Sequence, residues 1–410
     1  MRTIEFHILQ NFPPSNLNRD DSGAPKDCDF GGFRRQRISS QCLKRSVRQS
    51  EVFQQLQDEL LGLRSKRVPG KVATRLVDKG IDQEQAKAMA NGLFQALFKF
   101  KDNEETSYLL FVGPEEIERA VTLLLEEAEE AKTQADQLID VEKEELAAKE
   151  EGKKKPSNQV QEARQSVDKY FKALAKRYKD SYPGHVRAVD VSLFGRMLAD
   201  DPNANVDAAC QVSHAISVNR MHMEFDYYTA VDDIPDADNA GASMIGTVGF
   251  ASSCFYRFAC IDIDKLISNL GGDKAAEQAA YEGIKAFAHA NIQARPTGKQ
   301  NTFAAHTLPS FIMTVARNEG QPVSLANAFE QPVLPSPDQS LSQQASKKLL
   351  DHFGAIKSMF GLEGEAHCVA LDAESISEAD IKSHEIQVHK EVKALLEKLD
   401  EFVKIQTVQE

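Results

Sequence analysis

Residues 30–50 carry side chains that could bind phosphate. They contain six basic residues and no aspartate or glutamate, although the 410-residue chain has a formal net charge of −13. The basic residues are Arg34, Arg35, Arg37, Lys44, Arg45 and Arg48. Lysine and arginine neutralise phosphates, whereas an acidic surface elsewhere discourages indiscriminate binding. The segment therefore predicts a local contact with nucleic acid, with a solvated basic surface as the alternative.

The second half of this segment is expected to begin a helix. Ser39 and the serine after it are favourable N-cap residues. Leu43 and Val47 lie four residues apart on one apolar stripe, and Lys44 and Arg48 occupy a neighbouring stripe. A helix start beside basic side chains is suited to holding phosphate.

Two further segments offer side chains for stacking or wedging. Arg196 and Met197 follow a strand predicted over residues 186–193, and they supply a cation and a flexible apolar side chain. Residues 221–246 have the composition of a long loop that carries Phe225, Tyr227 and Tyr228. Aromatic and apolar side chains on such a loop either pack in the core or insert between bases.

Catalytic patterns are weak by comparison. His214 falls on the apolar side of an alternating run over residues 208–216, which favours a core histidine over a catalytic base. The pairs Asp20-Asp21 and Asp232-Asp233 are suited to metal-assisted hydrolysis, but adjacent loop acids are more often solvated. The GxSxG, Walker, GxGxxG and HExxH patterns are missing from the sequence. We therefore expect neither an enzyme nor a metal or cofactor.

Composition indicates a globular protein of the cytoplasm. Hydrophobic residues make up 41% and charged residues 27% of the chain. No apolar run approaches the roughly 20 residues of a membrane helix, and residues 1–10 alternate like a strand rather than a signal peptide. Six cysteines without a CxxC pair are expected to be reduced and structural. They are Cys28, Cys42, Cys210, Cys254, Cys260 and Cys368.

The remaining periodicity predicts an α+β protein. Residues 50–182 are dominated by helical patterns, with a hairpin turn at 150–157, and form an inserted helical lobe or a separate coiled coil. Outside it we predict strands at residues 3–10, 252–263 and 311–316 and a helix at 275–292. Strands flanking a helical insertion favour a ferredoxin-like core, a sheet that RNA-recognition modules also use.

Several sequence blocks together resemble the CasC-type backbone subunit of the type I-E CRISPR Cascade surveillance complex. The blocks follow that family's order over most of the chain outside the helical lobe. They are LNRDD (17–21), FGGFRRQRISSQCLKRSVRQS (30–50), DVSLFGRM (190–197), VDAACQVSHAIS (206–217), DYYTAVDD (226–233), FYRFACIDIDKLISNLGG (255–272) and LANAFE (325–330).

The resemblance implies a hand-shaped protein. Its palm is a modified RRM-like, ferredoxin-like fold built from residues 1–55, 185–220 and 249–410. Residues 56–184 form helical fingers, and residues 221–248 form a long thumb loop. The resemblance also implies that copies stack into a helical filament along the guide RNA, where each thumb kinks the RNA at regular intervals and displaces a base.

Residue roles implied by the resemblance fall into three groups. RNA contacts are expected at Arg19, Lys26, Ser39, Ser40, Gln41, Lys44, Arg45, Arg48, Arg196 and Met197. The thumb wedge is expected at Tyr227, Tyr228, Thr229 and Val231. Candidate contacts to target DNA are Lys153, Lys154, Lys155 and Lys299. Phosphate and wedge contacts need no particular base, which suits a guide of variable sequence.

The chain departs from the family pattern in three places. Phe33 stands where a basic residue is expected after two glycines, and Tyr227 replaces the expected thumb tryptophan, since the chain has no Trp. The helical lobe is also longer and more acidic than the family pattern, notably over residues 115–157.

Together these observations predict a non-enzymatic, RNA-guided DNA-recognition scaffold in antiviral defence. The expected partners are guide RNA, target DNA, further copies of the chain and the other Cascade subunits. One alternative is a backbone subunit that cleaves target RNA with a metal through Asp20 or Asp21, as in type III complexes. The other is a general RNA chaperone, which would bind RNA without ordered self-assembly.

Overall fold

The computed structural model describes residues 1–101, 105–150, 156–230, 244–372 and 384–407. The chain forms two compact units. Unit 1 comprises Met1–Leu56, Cys210–Lys265 and Tyr281–Glu410, and contains the main sheet. Unit 2 comprises Gln57–Ala209 and Leu266–Ala280, and is largely helical.

The described strands are numbered in chain order. They are β1 (Thr3–Ser15), β2 (Asp27–Phe30), β3 (Phe33–Ile38), β4 (Leu63–Ser65), β5 (Leu110–Val112), β6 (Cys210–Val212), β7 (Ala215–Ser217), β8 (Glu224–Ala230), β9 (Met244–Asp262), β10 (Phe311–Arg317), β11 (Glu365–Ala370) and β12 (Ile386–His389).

The described α-helices are numbered in the same way. They are α1 (Ser40–Arg48), α2 (Glu51–Gln54), α3 (Val68–Asp78), α4 (Gln83–Leu97), α5 (Pro114–Glu126), α6 (Ala128–Glu150), α7 (Asn158–Asp180), α8 (Val189–Phe194), α9 (Ile263–Asn269), α10 (Lys274–Gln293), α11 (Gln300–Phe303), α12 (Leu341–Phe360) and α13 (Val392–Thr407). This mixture of a large sheet and helices confirms the predicted α+β class.

The main sheet of unit 1 is built around β1. Its order is β12-β11-β10-β1-β9-β7-β3-β2, and β6 and β8 also pair with β9. β1 is antiparallel to both neighbours, with Thr3 opposite Asp262 of β9 and Arg317 of β10. Only β11 and β12 pair in parallel among the described strands. The strands and helix predicted at residues 3–10, 252–263, 275–292 and 311–316 are confirmed by β1, β9, α10 and β10.

Helices cover both faces of this sheet. On one face Ile8 and Ile312 pack with Ile292 of α10 and Leu395 of α13. On the other face, side chains of β10 and β11 pack with α12, including Phe353. Since alternate residues of a strand point to opposite faces, double coverage buries every residue of β1 from Thr3 to Gln10.

A buried polar network lies within β1. His7 contacts the Glu5 carboxylate at 3.2 Å through Nε2 and the Tyr256 hydroxyl at 2.9 Å through Nδ1. Arg317 Nε donates to Glu5 at 2.8 Å. Burial raises the pKa of Glu5, but the bonds from His7 and Arg317 outweigh it and leave that pKa below its ordinary value. The carboxylate therefore stays charged inside unit 1.

Unit 2 has its own hydrophobic core. Helices α3 to α7 bring Leu76, Leu93, Leu124 and Phe171 into one cluster, and β4 pairs with β5 beside them. The turn predicted at 150–157 falls mainly on residues 151–155, which lie outside the described part of the chain. Among the helices that the structure describes, none has the length and apolarity needed to cross a membrane.

The strand predicted over residues 186–193 is wrong. Its second half is helix α8, in which Val189 to Leu193 are all buried, so the alternation of polar and apolar residues does not report an exposed face. The buried Asp190 carboxylate accepts hydrogen bonds from the Gly62 and Val191 amides at 2.7 and 3.0 Å, which offset the cost of its burial. Gly195 ends the helix with φ at +73°, a conformation that glycine adopts without steric cost.

The long loop predicted over residues 221–246 is also partly wrong. β8 and the first part of β9 form an antiparallel hairpin in which Tyr228 faces Gly246. Every residue of β8 is exposed. The mixture of aromatic and polar residues, which is typical of a loop, here belongs to a two-stranded hairpin with both faces in solvent. Residues 231–243 lie outside the described part of the chain.

Candidate nucleic-acid interface

Helix α1 presents the predicted basic surface. Ser39 caps the helix by accepting from the Cys42 amide at 3.3 Å, and Leu43 and Val47 are buried. Because the apolar stripe of Leu43 and Val47 faces the core, the basic side chains of the helix lie at the surface, where Arg45 is exposed and Lys44 is half-buried. The other predicted contacts on this helix share that setting: Ser40 and Arg48 are half-buried, and Gln41 is exposed.

Asn18 joins a second basic segment to the start of this helix. Its side-chain oxygen accepts from the Ser39 amide at 2.8 Å, and its carbonyl accepts from the Lys26 amide at 2.8 Å. Arg19 bridges to Pro25 in the same turn and is exposed. The structure thus brings Arg19, Lys26 and the capped helix start together, as one surface would require.

Asp20 closes this turn. Its carboxylate accepts from the Ser22 amide at 2.9 Å, the Ser22 hydroxyl at 2.7 Å and the Ala24 amide at 3.0 Å. These bonds, led by the Ser22 hydroxyl, lower the pKa of Asp20. Three local bonds give this carboxylate a structural role in shaping the Arg19 to Lys26 turn. Within the described residues, no group of three or more His, Cys, Asp or Glu side chains is arranged to hold a metal.

The three arginines of β3 are held by protein groups. Arg34 pairs with Asp27 at 2.6 Å. Arg37 contacts the ring of His214 at 2.8 Å. His214 is exposed at the surface, so its expected place in the core is wrong. Partial desolvation of the ring and the positive charge of Arg37 lower its pKa.

Arg35 is buried, which the sequence did not indicate. Its guanidinium donates to the carbonyls of Ser217 and Val218 at 2.8 and 3.0 Å. It also donates to those of Phe329 and Glu330 at 2.8 and 3.1 Å. Burial lowers its pKa. Arg35 therefore ties β3 to the end of β7 and to the segment around residue 330.

Arg196 does not belong to the predicted RNA surface. Its side chain is 2% exposed and its guanidinium contacts both carboxylate oxygens of Glu116, at 2.5 and 2.8 Å. It also donates to the carbonyls of Ala204 and Phe111. The expected RNA contact is corrected because this guanidinium is fully engaged inside unit 2. Met197, the next residue, is 82% exposed.

The hairpin of β8 and β9 presents the predicted wedge residues. Tyr227, Tyr228 and Thr229 are exposed on β8, and Met244 and Ile245 are exposed on the facing part of β9. Exposed aromatic and apolar side chains on a two-stranded ribbon can stack on bases. Val231 lies outside the described residues.

Of the predicted DNA contacts, only Lys299 lies within the described residues, since Lys153, Lys154 and Lys155 fall in the gap after Glu150. Lys299 has a left-handed backbone, with φ at +51°. The preceding Gly298 packs directly on the Leu17 carbonyl, where a side chain would clash. Lys299 is therefore positioned next to the point where Gly298 contacts Leu17, two residues before Arg19. Both segments belong to unit 1, as does α1.

Comparisons with known proteins give the family and the fold of the chain. The model of a family described as CT1975-like protein matches residues 4–398. A solved chain from a "CRISPR RNA-guided surveillance complex, pre-nicking" is 27% identical, with a TM-score of 0.72, covering 98% of this chain and 100% of that chain. A second, from a "CRISPR RNA-guided surveillance complex", is 24% identical with a TM-score of 0.64, covering 97% and 99%, and shows likeness of fold. No curated protein matches the sequence.

Proposed function

Because the chain belongs to the CT1975-like protein family, we propose that it is the guide-RNA-binding backbone subunit of a type I-E CRISPR Cascade complex. In this proposal it is a non-enzymatic scaffold whose copies assemble along the guide RNA and kink it at regular intervals. The assembled guide is then presented for pairing with target DNA, with other subunits completing the complex.

The observation that carries this proposal is the union of two basic segments through Asn18. Sequence-independent RNA binding needs cations and amides that contact the backbone. The Arg19 to Lys26 turn and the capped start of α1 supply both within unit 1. The exposed hairpin of the same unit supplies apolar side chains that need no particular base.

The alternative of metal-dependent RNA cleavage gains no support from Asp20. The three hydrogen bonds to its carboxylate come from its own turn, so binding a metal would compete with the bonds that hold Arg19 and Lys26 in place.

A co-expression experiment tests the proposal. The chain is purified with a repeat-containing guide RNA, with guides of two lengths, and imaged by electron microscopy beside the chain alone. Particles that lengthen with the guide are expected. Monomers that retain no RNA, even when the other complex subunits are supplied, would refute it.

Charge removal tests the surface itself. Lys44→Gln with Arg48→Gln should reduce the slope of log affinity against log salt by about 0.7 for each lost phosphate contact of a single strand. Lys347→Gln with Lys404→Gln removes the same charge from exposed positions on α12 and α13 and should leave the slope unchanged. Equal slopes for both double variants would remove α1 from the RNA surface.

A further inference from the structure

Arg220 is an exposed cation that the predicted site does not include. It lies between β7 and β8 in unit 1, and its guanidinium carbon is 4.1 Å from the centroid of the Phe33 ring. Phe33 is half-buried at the start of β3. A cation over an aromatic face is attracted by the ring quadrupole, by about 0.5–1 kcal/mol at an exposed site. The ring therefore holds an exposed charge in a defined position.

The backbone around Arg220 is held by two strands. The Met221 amide donates to the Arg34 carbonyl of β3 at 3.0 Å. On the other side, the Asn219 side chain donates to the Arg220 carbonyl at 2.9 Å and accepts from the Cys254 amide of β9 at 3.1 Å. Because the backbone and the side chain are both held in place, a ligand of Arg220 has less conformational entropy to overcome.

The guanidinium of Arg220 is available to a ligand. The other three arginines around β3 are engaged: Arg34 with a carboxylate, Arg37 with an imidazole ring and Arg35 with four carbonyls. Within the part of the chain that the structure describes, no hydrogen bond or ion pair engages Arg220. A ring contact uses none of the five N–H donors of a guanidinium, so these donors remain for the oxygens of an anion.

Arg220 lies between the two parts of the predicted RNA surface. β3 runs from Phe33 to the residue before Ser39, the cap of α1, and this spans about 20 Å of extended chain. Lys26 is joined to the α1 end of β3, because its carbonyl accepts from the Arg37 amide at 2.8 Å. The exposed hairpin begins soon after Arg220, with β8. A strand of RNA that passes from α1 to the hairpin along β3 therefore meets Arg220 on its way.

We propose that Arg220, held in place by Phe33, binds a backbone phosphate of the guide RNA between α1 and the hairpin of β8 and β9. A guanidinium binds a phosphate through short and strong charge-assisted bonds, and a phosphate contact suits a guide of any sequence. Arg220 is then a binding residue and Phe33 a positioning residue. The inference rests on the proposed function, because it adds a contact to the same RNA surface.

Arg220→Gln tests the phosphate contact, with Lys347→Gln as its matched control. Lys347 is exposed on α12 of the same unit, so each variant removes one positive charge from the surface of unit 1. Guide-RNA binding is measured from about 50 to 200 mM salt, and the slope of log affinity against log salt is expressed per bound copy. Arg220→Gln should weaken binding and lower the slope by about 0.7, the value of one phosphate contact on a single strand. The control should leave the slope unchanged.

Arg220→Lys separates a phosphate contact from stacking on a base. Lysine keeps the charge but lacks the planar guanidinium, so the salt slope should stay near that of the unmodified chain. An equal loss of affinity in Arg220→Gln and Arg220→Lys, with unchanged slopes in both, would assign the guanidinium to a base and overturn the inference.

Phe33→Leu tests the positioning role. Leucine is apolar but has no ring face to hold the cation. In the Phe33→Leu background, Arg220→Gln should therefore lower the salt slope by less than it does in the unmodified chain. An equal reduction in both backgrounds would show that Arg220 reaches its phosphate without the ring and would overturn the role of Phe33.

Urea unfolding followed by far-ultraviolet circular dichroism identifies a stack that only stabilises the fold. A lower free energy of unfolding in Arg220→Gln, with guide-RNA affinity and salt slope equal to those of the control, would make the stack structural and overturn the inference. In that case a lower slope in the Lys44→Gln and Arg48→Gln variant would leave the proposed function standing.

Discussion

Breaking the Arg196–Glu116 pair should strongly destabilise unit 2. The two side chains are 2% and 6% exposed and are joined by two charged contacts. Arg196→Met leaves the Glu116 carboxylate buried, where it still accepts from the Gly113 amide at 2.8 Å. Glu116→Gln instead leaves a buried guanidinium without its counter-charge. Loss of one partner of a buried ion pair costs about 3–5 kcal/mol, because the other charge stays desolvated and uncompensated.

The double variant separates this penalty from ordinary loss of contacts. With both charges removed, Glu116→Gln/Arg196→Met should cost about 2–3 kcal/mol less than the sum of the single variants, as coupled neighbours do. The carbonyls of Phe111 and Ala204 lose a donor in both Arg196 variants, so a residual cost remains. The chain has no tryptophan, so urea unfolding is followed by far-ultraviolet circular dichroism.

Guide-RNA binding by the double variant supplies a second readout. Arg196 is bonded inside unit 2, so affinity and salt slope should match those of the unmodified chain. Single variants that each cost under about 1 kcal/mol, a value typical of exposed pairs, would refute the buried-pair reasoning. A salt slope reduced by the double variant would return Arg196 to the RNA surface.

Three further predictions concern unit 1. His7 and Arg317 lower the folded pKa of Glu5. The Glu5 carboxylate therefore stabilises the folded state above its unfolded pKa of about 4.3, and this contribution is lost as the pH falls. Glu5→Gln should make the free energy of unfolding depend less on pH in the acid range, and an unchanged dependence would contradict this. Arg35→Met removes hydrogen bonds to four backbone carbonyls, although the Val218 carbonyl still accepts from the Val333 amide. The variant should cost about 3 kcal/mol or more in urea unfolding, whereas a cost below about 1 kcal/mol would contradict the buried assignment. Asn18→Ala should weaken guide-RNA binding several-fold and lower the salt slope, because the loosened turn no longer holds Arg19 and Lys26 against their phosphates; equal affinity would show that the turn holds without this side chain.

The elements predicted correctly are those whose burial pattern is simple. β1 and β10 carry dense apolar residues and lie inside the sheet, and α1 has a serine cap followed by two apolar residues four apart. In both cases the local sequence is enough to predict the type of secondary structure. The alternation in residues 186–193 led to a wrong strand prediction because α8 is buried on all sides. Its polar residues Asp190 and Ser192 form hydrogen bonds with backbone groups instead of facing solvent.

Charge alone also did not separate binding residues from structural ones. Arg35, Arg45 and Arg196 are the same residue type, but Arg45 is exposed while the other two are buried against carbonyls or a carboxylate. The partners of Arg35 lie about 180 to 295 residues away in the chain, so no local pattern indicates them. The bridging role of Asn18 had a weak signal, since Asn and Asp favour turns.

The continuity of β9 has a mechanical consequence. Its 19 residues extend about 60 Å at the usual rise per residue. The inner part pairs with β1, the outer part pairs with β8, and Asn16 donates to the Gly249 carbonyl at 2.9 Å between them. One strand therefore belongs to both the sheet and the hairpin, and Asn16 holds it near the junction. A force applied to the exposed end of the hairpin is transmitted along β9 to its pairing with β1.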